Sequence, residues 1–161
     1  MIIKLAKELI TDILSELGVK QVFTEEADLE RIKSNPTAVI LAHKEKLDER
    51  RRKVAKWTDD SGQKFIRYQM FQRMLPLEIN LFHSTEEAVD QILVNLLTRL
   101  PKGMYDGKGN WVEIAPSGIE WPPEQKNRSL GVLFILFVGG IYRDQPLATI
   151  EEVNINQTIA H

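Results

Sequence analysis

The sequence predicts an α+β fold: a mainly antiparallel sheet with an N-terminal helix and a central amphipathic helix packed on it, plus an extended β-hairpin. Three observations predict it. Segment 75–101 changes period abruptly. Leu75, Leu77, Ile79 and Leu81 alternate with Pro76, Glu78 and Asn80 as in a half-buried strand, and then Ala88, Val89, Ile92, Leu93, Leu96, Leu97 and Leu100 recur three or four apart. Segment 1–18 carries a helical period of its own. The remaining β-rich stretches come in runs on either side of the central helix, which favours antiparallel pairing over strand–helix alternation.

Taken in order, Leu5, Ala6, Leu9, Ile10, Ile13, Leu14 and Leu17 form the apolar stripe of the first helix, and Gly18 is its left-handed stop. Val19 to Phe23 reads as a brief strand. Thr24 caps a short helix over 25–33, which Asn35-Pro36 ends. Thr37 to Ala42 is β-branched and almost wholly apolar, the pattern of a strand buried on both faces.

The most polar stretch follows, and 44–72 reads as an extended hairpin. Lys44 to Lys56 fits either a helix or an exposed strand, with a strand favoured for its second half. Asp59-Asp60-Ser61-Gly62 is its turn. On the return, Ile66, Tyr68 and Met70 occupy one side, and Phe65, Arg67, Gln69 and Phe71 the other. Neither side is cleanly apolar, so the hairpin is either wetted on both faces or covered by a neighbour. Pro76 is expected to bend the strand before it enters the core.

In the central helix, Ser84 and Glu87 have capping-box spacing, Glu86 and Glu87 sit at the positive end of the dipole, and Arg99 sits near the negative end. Pro101 stops it. Lys102 to Asn110 reads as a glycine-rich loop. In the closing β block, 110–156, Trp111, Val112 and Ile114 make a short strand turned by Ala115-Pro116-Ser117-Gly118. Ser129 to Val138 is the most apolar strand, Gly139-Gly140 a tight turn or bulge, and Thr149 to Ile155 a last strand.

The 161 residues fit a single domain with a sizeable core. A net charge of −2 gives no global pull toward nucleic acid or anionic membrane. The absence of cysteine removes disulfides and thiolate metal sites and suits a reducing compartment. Lys7, Glu8, Asp12 and Glu16 interrupt what a signal peptide would keep apolar, and the longest apolar run, Leu130 to Val138, is less than half a helical membrane span. A soluble, intracellular protein is expected.

No catalytic, metal or cofactor constellation is expected. His43, His83 and His161 share no ligand spacing, and no serine lies in a nucleophile elbow. The segment from Gly103 to Gly109 is one residue short of a phosphate loop, has glycine where a Mg²⁺-binding hydroxyl belongs, and follows a helix rather than a strand. Glu151 and Glu152 are neighbours on an expected strand, so their carboxylates diverge. The patch that stands out is Arg50-Arg51-Arg52-Lys53 with Lys56, Trp57, Lys64, Phe65, Arg67 and Tyr68 across the turn. Cations interleaved with aromatics can hold phosphates and stack bases. Asp48, Glu49, Asp59 and Asp60 dilute that charge, and a solvated hairpin or subunit contact is the favoured reading over specific nucleic-acid binding.

Two strings carry a family resemblance. Pro76-Leu77-Glu78-Ile79-Asn80-Leu81 is followed by Glu86-Glu87-Ala88-Val89-Asp90-Gln91-Ile92 and the leucine-rich helix to Leu100-Pro101, and Gly139-Gly140-Ile141-Tyr142-Arg143-Asp144 lies in the closing β block. With the order of elements, these resemble the tail terminator and tail-completion proteins of tailed bacteriophages. The resemblance implies a non-enzymatic virion protein, assembled in the bacterial cytoplasm of the host. It implies a homo-oligomeric ring, a hexamer in this family, that ends tail-tube growth and contacts the tail-tube protein and the head–tail connector. A neck or head-closure component is the close variant. No membrane partner is implied. No functional residue transfers from the family, and the basic hairpin has no family counterpart. Physical reasoning supplies the interface candidates. Trp57, Phe65, Arg67, Tyr68 and Phe71 are expected to meet a neighbouring protomer, and Arg50, Arg51, Arg52 and Lys53 to pair with its acidic groups or face a lumen.

Overall fold

The computed structural model describes residues 1–26, 35–125 and 127–148. Of these, 54% lie in strands and 22% in helices. The chain is therefore mostly β, which corrects the expected α+β class. The reason is strand length: two stretches that predict turns run on as strand.

The elements are α1 (Ile2–Glu16), β1 (Gln21–Phe23), β2 (Thr37–Ala42), β3 (Lys46–Thr58), β4 (Lys64–His83), α2 (Glu86–Arg99), β5 (Gly103–Tyr105), β6 (Trp111–Glu120) and β7 (Ser129–Pro146). They form one seven-stranded sheet in the order β1-β2-β4-β7-β6-β5, with β3 pairing with β4 off that path. The expected short helix over 25–33 falls largely, and the last strand over 149–155 wholly, outside the described residues. Two compact units are distinguishable, one comprising 1–47 and 73–139, the other 48–72 and the chain from 140 onward.

In the first unit, α1 buries Ile2, Ala6, Ile10, Ile13 and Leu14. Gly18 at φ 89° provides the stop, and Val19 N–H returns to the Leu14 carbonyl at 2.9 Å. Strand β1 runs parallel to β2, and β2 antiparallel to β4 with Ile40 opposite Ile79. Ala38 and Ile40 feed the main core, whereas Val39 joins Phe82, Leu130 and Val132 in a second cluster. Both faces of β2 are thus buried, in keeping with its unbroken apolar sequence. The apolar stripe of α2 contributes Val89, Leu93 and Leu96 to the main core, with Ile92, Leu97 and Leu100 packed against it. Burying three such side chains contributes about 1.5–3 kcal/mol each.

Several local expectations are corrected. The cap of α2 is Thr85, whose hydroxyl accepts from Ala88 N–H at 3.2 Å. Ser84 is instead turned toward His83: its N–H donates to His83 Nδ1 at 2.7 Å, and its hydroxyl lies 3.2 Å from that nitrogen. The loop expected over 102–110 contains β5, which pairs with the start of β6. Gly103 allows this pairing, because a Cβ there would run into the Trp111 ring. Strand β6 absorbs Ala115-Pro116-Ser117-Gly118 through a register shift between Pro116 and Gly118. A bulge is the place where a sheet tolerates proline. Likewise β7 continues through Gly139-Gly140 to Pro146. A Cβ on Gly139 would come within 2.7 Å of the Ile2 side chain, and one on Gly140 within 2.6 Å of the Tyr142 ring. These glycines serve close packing rather than a turn.

In the second unit, β3 and the first half of β4 form the expected hairpin. Asp59 builds its turn by accepting from Ser61 N–H at 2.9 Å, the Ser61 hydroxyl at 2.7 Å and Gln63 N–H at 2.9 Å, with Gly62 at φ 88°. The Ser61 hydroxyl first, then these backbone N–H groups, hold the Asp59 carboxyl below the usual carboxylate range. Strand β4 is continuous through Pro76, whose carbonyl accepts from His43 N–H at 2.9 Å.

Candidate assembly surface

Strand β3 is the element from which the site is built. It is 13 residues long and, among the described residues, pairs with β4 alone, and every residue except Asp48 is exposed. An isolated pattern of this kind, Lys-Leu-Asp-Glu-Arg-Arg-Arg-Lys-Val-Ala-Lys-Trp-Thr, cannot bury a face. It is held as strand by the ladder to β4 and by side chains reaching sideways. Arg50 donates to Gln72 Oε1. Arg51 pairs with Glu49, and Arg50 lies 3.9 Å from Asp48. Arg52 Nε donates at 3.0 Å to Oε1 of Gln69, a buried polar side chain that would otherwise lack a partner for that oxygen. Arg51 has φ 46°, the left-handed region, in mid-strand. Between the His43–Pro76 and Asp59–Gln63 backbone bonds, the β3 side has three more residues than the β4 side, 44–58 against 64–75. Residues are therefore accommodated out of register on the β3 side, and Arg51 marks one such bulge.

Three of the predicted interface residues come together. Trp57 stacks on Phe65 at 4.6 Å with planes 15° apart, and the Arg67 guanidinium lies 5.7 Å from the centre of the Trp57 ring system. Asp144, on β7, joins them. It accepts from Arg67 Nε at 2.8 Å and Nη2 at 3.1 Å, and from Trp57 Nε1 at 3.1 Å. Hydrogen bonding from Arg67, and next from Trp57, outweighs partial burial and keeps the Asp144 carboxyl below the ordinary range. Two other predicted residues stand apart from this cluster: Tyr68 is half-buried, and Phe71 is exposed without a ring contact among the described residues. Lys53 is exposed beside the arginines.

Sequence reasoning missed Asp144, Gln69 and Gln72. Asp144 lies 77 residues from Arg67, and it reaches the hairpin because β7 runs through Gly139-Gly140. No local pattern signals that. The amides were legible only as polar positions on a strand.

Elsewhere, a hollow of about 670 Å³ at the start of α2 is lined by Thr85, Glu86, Glu87, Asp90 and Trp121. Its acidic groups are accounted for by the positive end of the helix dipole. A second, of about 420 Å³, lies along Ile3, Lys7 and Thr11 of α1 with Thr24. Among the described residues, no group of three or more His, Asp or Glu side chains is placed to hold a metal ion, and no helix is long and apolar enough to cross a membrane. No protein-family model matches the chain, and no curated protein does.

Proposed function

We propose that this chain is a non-enzymatic structural subunit that self-assembles, with the β3–β4 hairpin as its assembly surface. Within that proposal, the resemblance to tail terminator and tail-completion proteins gives the assembly as a ring at the end of a phage tail, with tail-tube and connector proteins as partners and a neck or head-closure role as the variant. The observation that carries the reading is β3 itself: 13 residues, exposed on both faces, with one hydrogen-bonded neighbouring strand among the described residues. A long free edge is a pairing template, and oligomers use such edges while monomers shorten or cover them.

The nucleic-acid reading loses ground on the same residues. Arg51 and Arg67 are ion-paired with Glu49 and Asp144, and Arg50 and Arg52 are tied to the neutral amides of Gln72 and Gln69, so part of the charge is compensated and all four side chains are already engaged before any phosphate arrives. Native mass across a concentration series is the test. A discrete oligomer supports the reading, and a monomer at high concentration, unchanged by added tail-tube subunits, removes it. A mobility shift with DNA or RNA at low salt whose salt slope falls on neutralising Arg51 and Arg52 would favour the alternative.

A further inference from the structure

The order of charges along β3 points to what its free edge binds. We propose that β3 pairs antiparallel, edge to edge, with β3 of a second copy across a two-fold axis at Arg50–Arg51. This rests on the self-assembly reading and specifies one contact within it.

The side chains of β3 reach along the strand or inward to β4, through Arg50 to Gln72, Arg51 to Glu49 and Arg52 to Gln69. Among the described residues, the outer row of backbone N–H and C=O groups has no strand beside it. A two-fold at Arg50–Arg51 lays residues 46–49 of one copy against 52–55 of the other. Asp48 then meets Lys53, Glu49 meets Arg52, and Leu47 meets Val54, each pair occurring twice. Leu47 and Val54 are 53% and 42% exposed in the single chain, and the pairing covers them. Opposite charges and apolar pairs directly across strands are the favourable combinations of an antiparallel ladder. Moved three residues along the strand, the same edge keeps one kind of acidic–basic pair instead of two, Asp48 opposite Lys56 in one direction and Asp48 opposite Arg50 in the other.

The bulge fits this register. In a regular strand Glu49 and Arg52 would project from opposite faces. One extra residue at Arg51 restores them to a shared face, and likewise Asp48 with Lys53. Placing the axis there also puts the break in one strand beside the break in the other, so that regular segments pair only with regular segments. The cost is the meeting of Arg50 and Arg51 with their counterparts at the axis. Their existing partners Gln72, Asp48 and Glu49 moderate it. The contact is isologous, so it cannot close a ring alone. It joins subunits in pairs, so an assembly containing it is two-fold symmetric: the contact can lie between two rings placed face to face, and not between neighbours of one ring whose subunits all face the same way.

The chain has no cysteine, which makes a single introduced thiol diagnostic. Arg50→Cys places two thiols beside the axis. Thr58→Cys places them about 50 Å apart at roughly 3.3 Å per residue, far beyond disulfide reach. Mild oxidation or a short bismaleimide should convert most of the Arg50→Cys protein to a covalent dimer and little of the Thr58→Cys protein. Asp48→Lys with Glu49→Lys should weaken pairing at least tenfold, and adding Arg52→Glu with Lys53→Glu should restore it to within about threefold by inverting both sides of each pair. Circular dichroism checks that each variant folds. Absence of the Arg50→Cys dimer, or equal crosslinking from position 58, overturns the proposal. So does a charge reversal that leaves association unchanged. A discrete oligomer whose native mass ignores Asp48→Lys/Glu49→Lys removes this contact but not self-assembly, whereas a monomer throughout removes both.

Discussion

Removing Asp144 should loosen the hairpin without unfolding the rest of the chain. Its carboxylate takes two bonds from Arg67 and one from Trp57, at 2.8, 3.1 and 3.1 Å. The Arg67 and Asp144 side chains are 21% and 32% exposed, between the fully solvated case, where pairs contribute about 0.2–1 kcal/mol, and the buried bidentate case, where hydrogen bonds to charged groups contribute about 1.5–3 kcal/mol. A coupling of about 1 kcal/mol between Arg67 and Asp144 follows. In a double-mutant cycle of Arg67→Met and Asp144→Ala, the hydrogen-exchange protection of amides in 53–69 should fall about fivefold in either single variant. It should fall little further in the double, since 1.4 kcal/mol corresponds to tenfold. Exchange in α1 and β2 should stay within twofold. Strictly additive single effects would refute the clamp, and a uniform change across the molecule would show that the hairpin does not open by itself.

The same clamp sets a pH dependence. Because the folded-state carboxyl of Asp144 lies below its ordinary value of 3.8, its contribution is full above that value and is lost as the pH falls through the lower folded one. Hairpin protection, corrected for intrinsic exchange, should be flat from neutral pH to about 5 and decline below about 4, with a shallower decline in Asp144→Asn. Gly131→Ala forces a Cβ to 2.7 Å from Val89 Cγ1 and 3.0 Å from Leu93 Cδ1. It should lower unfolding free energy in urea by about 1–3 kcal/mol, and by less than the sum of the single changes when combined with Val89→Ala. Thr85→Ala should cost about 1 kcal/mol by removing the helix cap. Ser84→Ala should cost less than about half that, and the reverse ranking would restore Ser84 as the cap.

The parts of the fold legible in the sequence are those whose signal is local. The stripes of α1 and α2, the twofold period of β4 in the core, and the Asp59 turn all rest on contacts or conformations within a few residues. The parts that were not legible depend on distant neighbours. Gly139 and Gly140 have the composition of a turn, yet what decides their conformation is Ile2 beside one and Tyr142 beside the other. Pro116 is carried inside β6 because β7 tolerates a register shift opposite it. Such continuations lengthened β6 and β7 and moved the chain from α+β to mostly β. The cap shifted by one residue because His83 engages Ser84 first, a competition between two hydrogen-bonding side chains that spacing alone does not rank. At the hairpin, cations and aromatics were visible as types, but their partners Gln69, Gln72 and Asp144 were not.

That last gap changes what kind of surface the hairpin is. Read as a list of residues, Arg50 to Lys53 with Trp57 and Phe65 offers side chains to a partner. In the folded chain those arginines are bound to Gln72, Glu49 and Gln69, and Trp57 is flanked by Phe65, Arg67 and Asp144. A partner that needed the side chains would first have to break those contacts. A partner that needs the backbone edge finds it unpaired by any other described strand along β3, already stiffened by the same contacts that occupy the side chains. Pre-ordering of that kind lowers the entropic cost of association, so the bonds that hold the arginines inward favour recognition through the ladder.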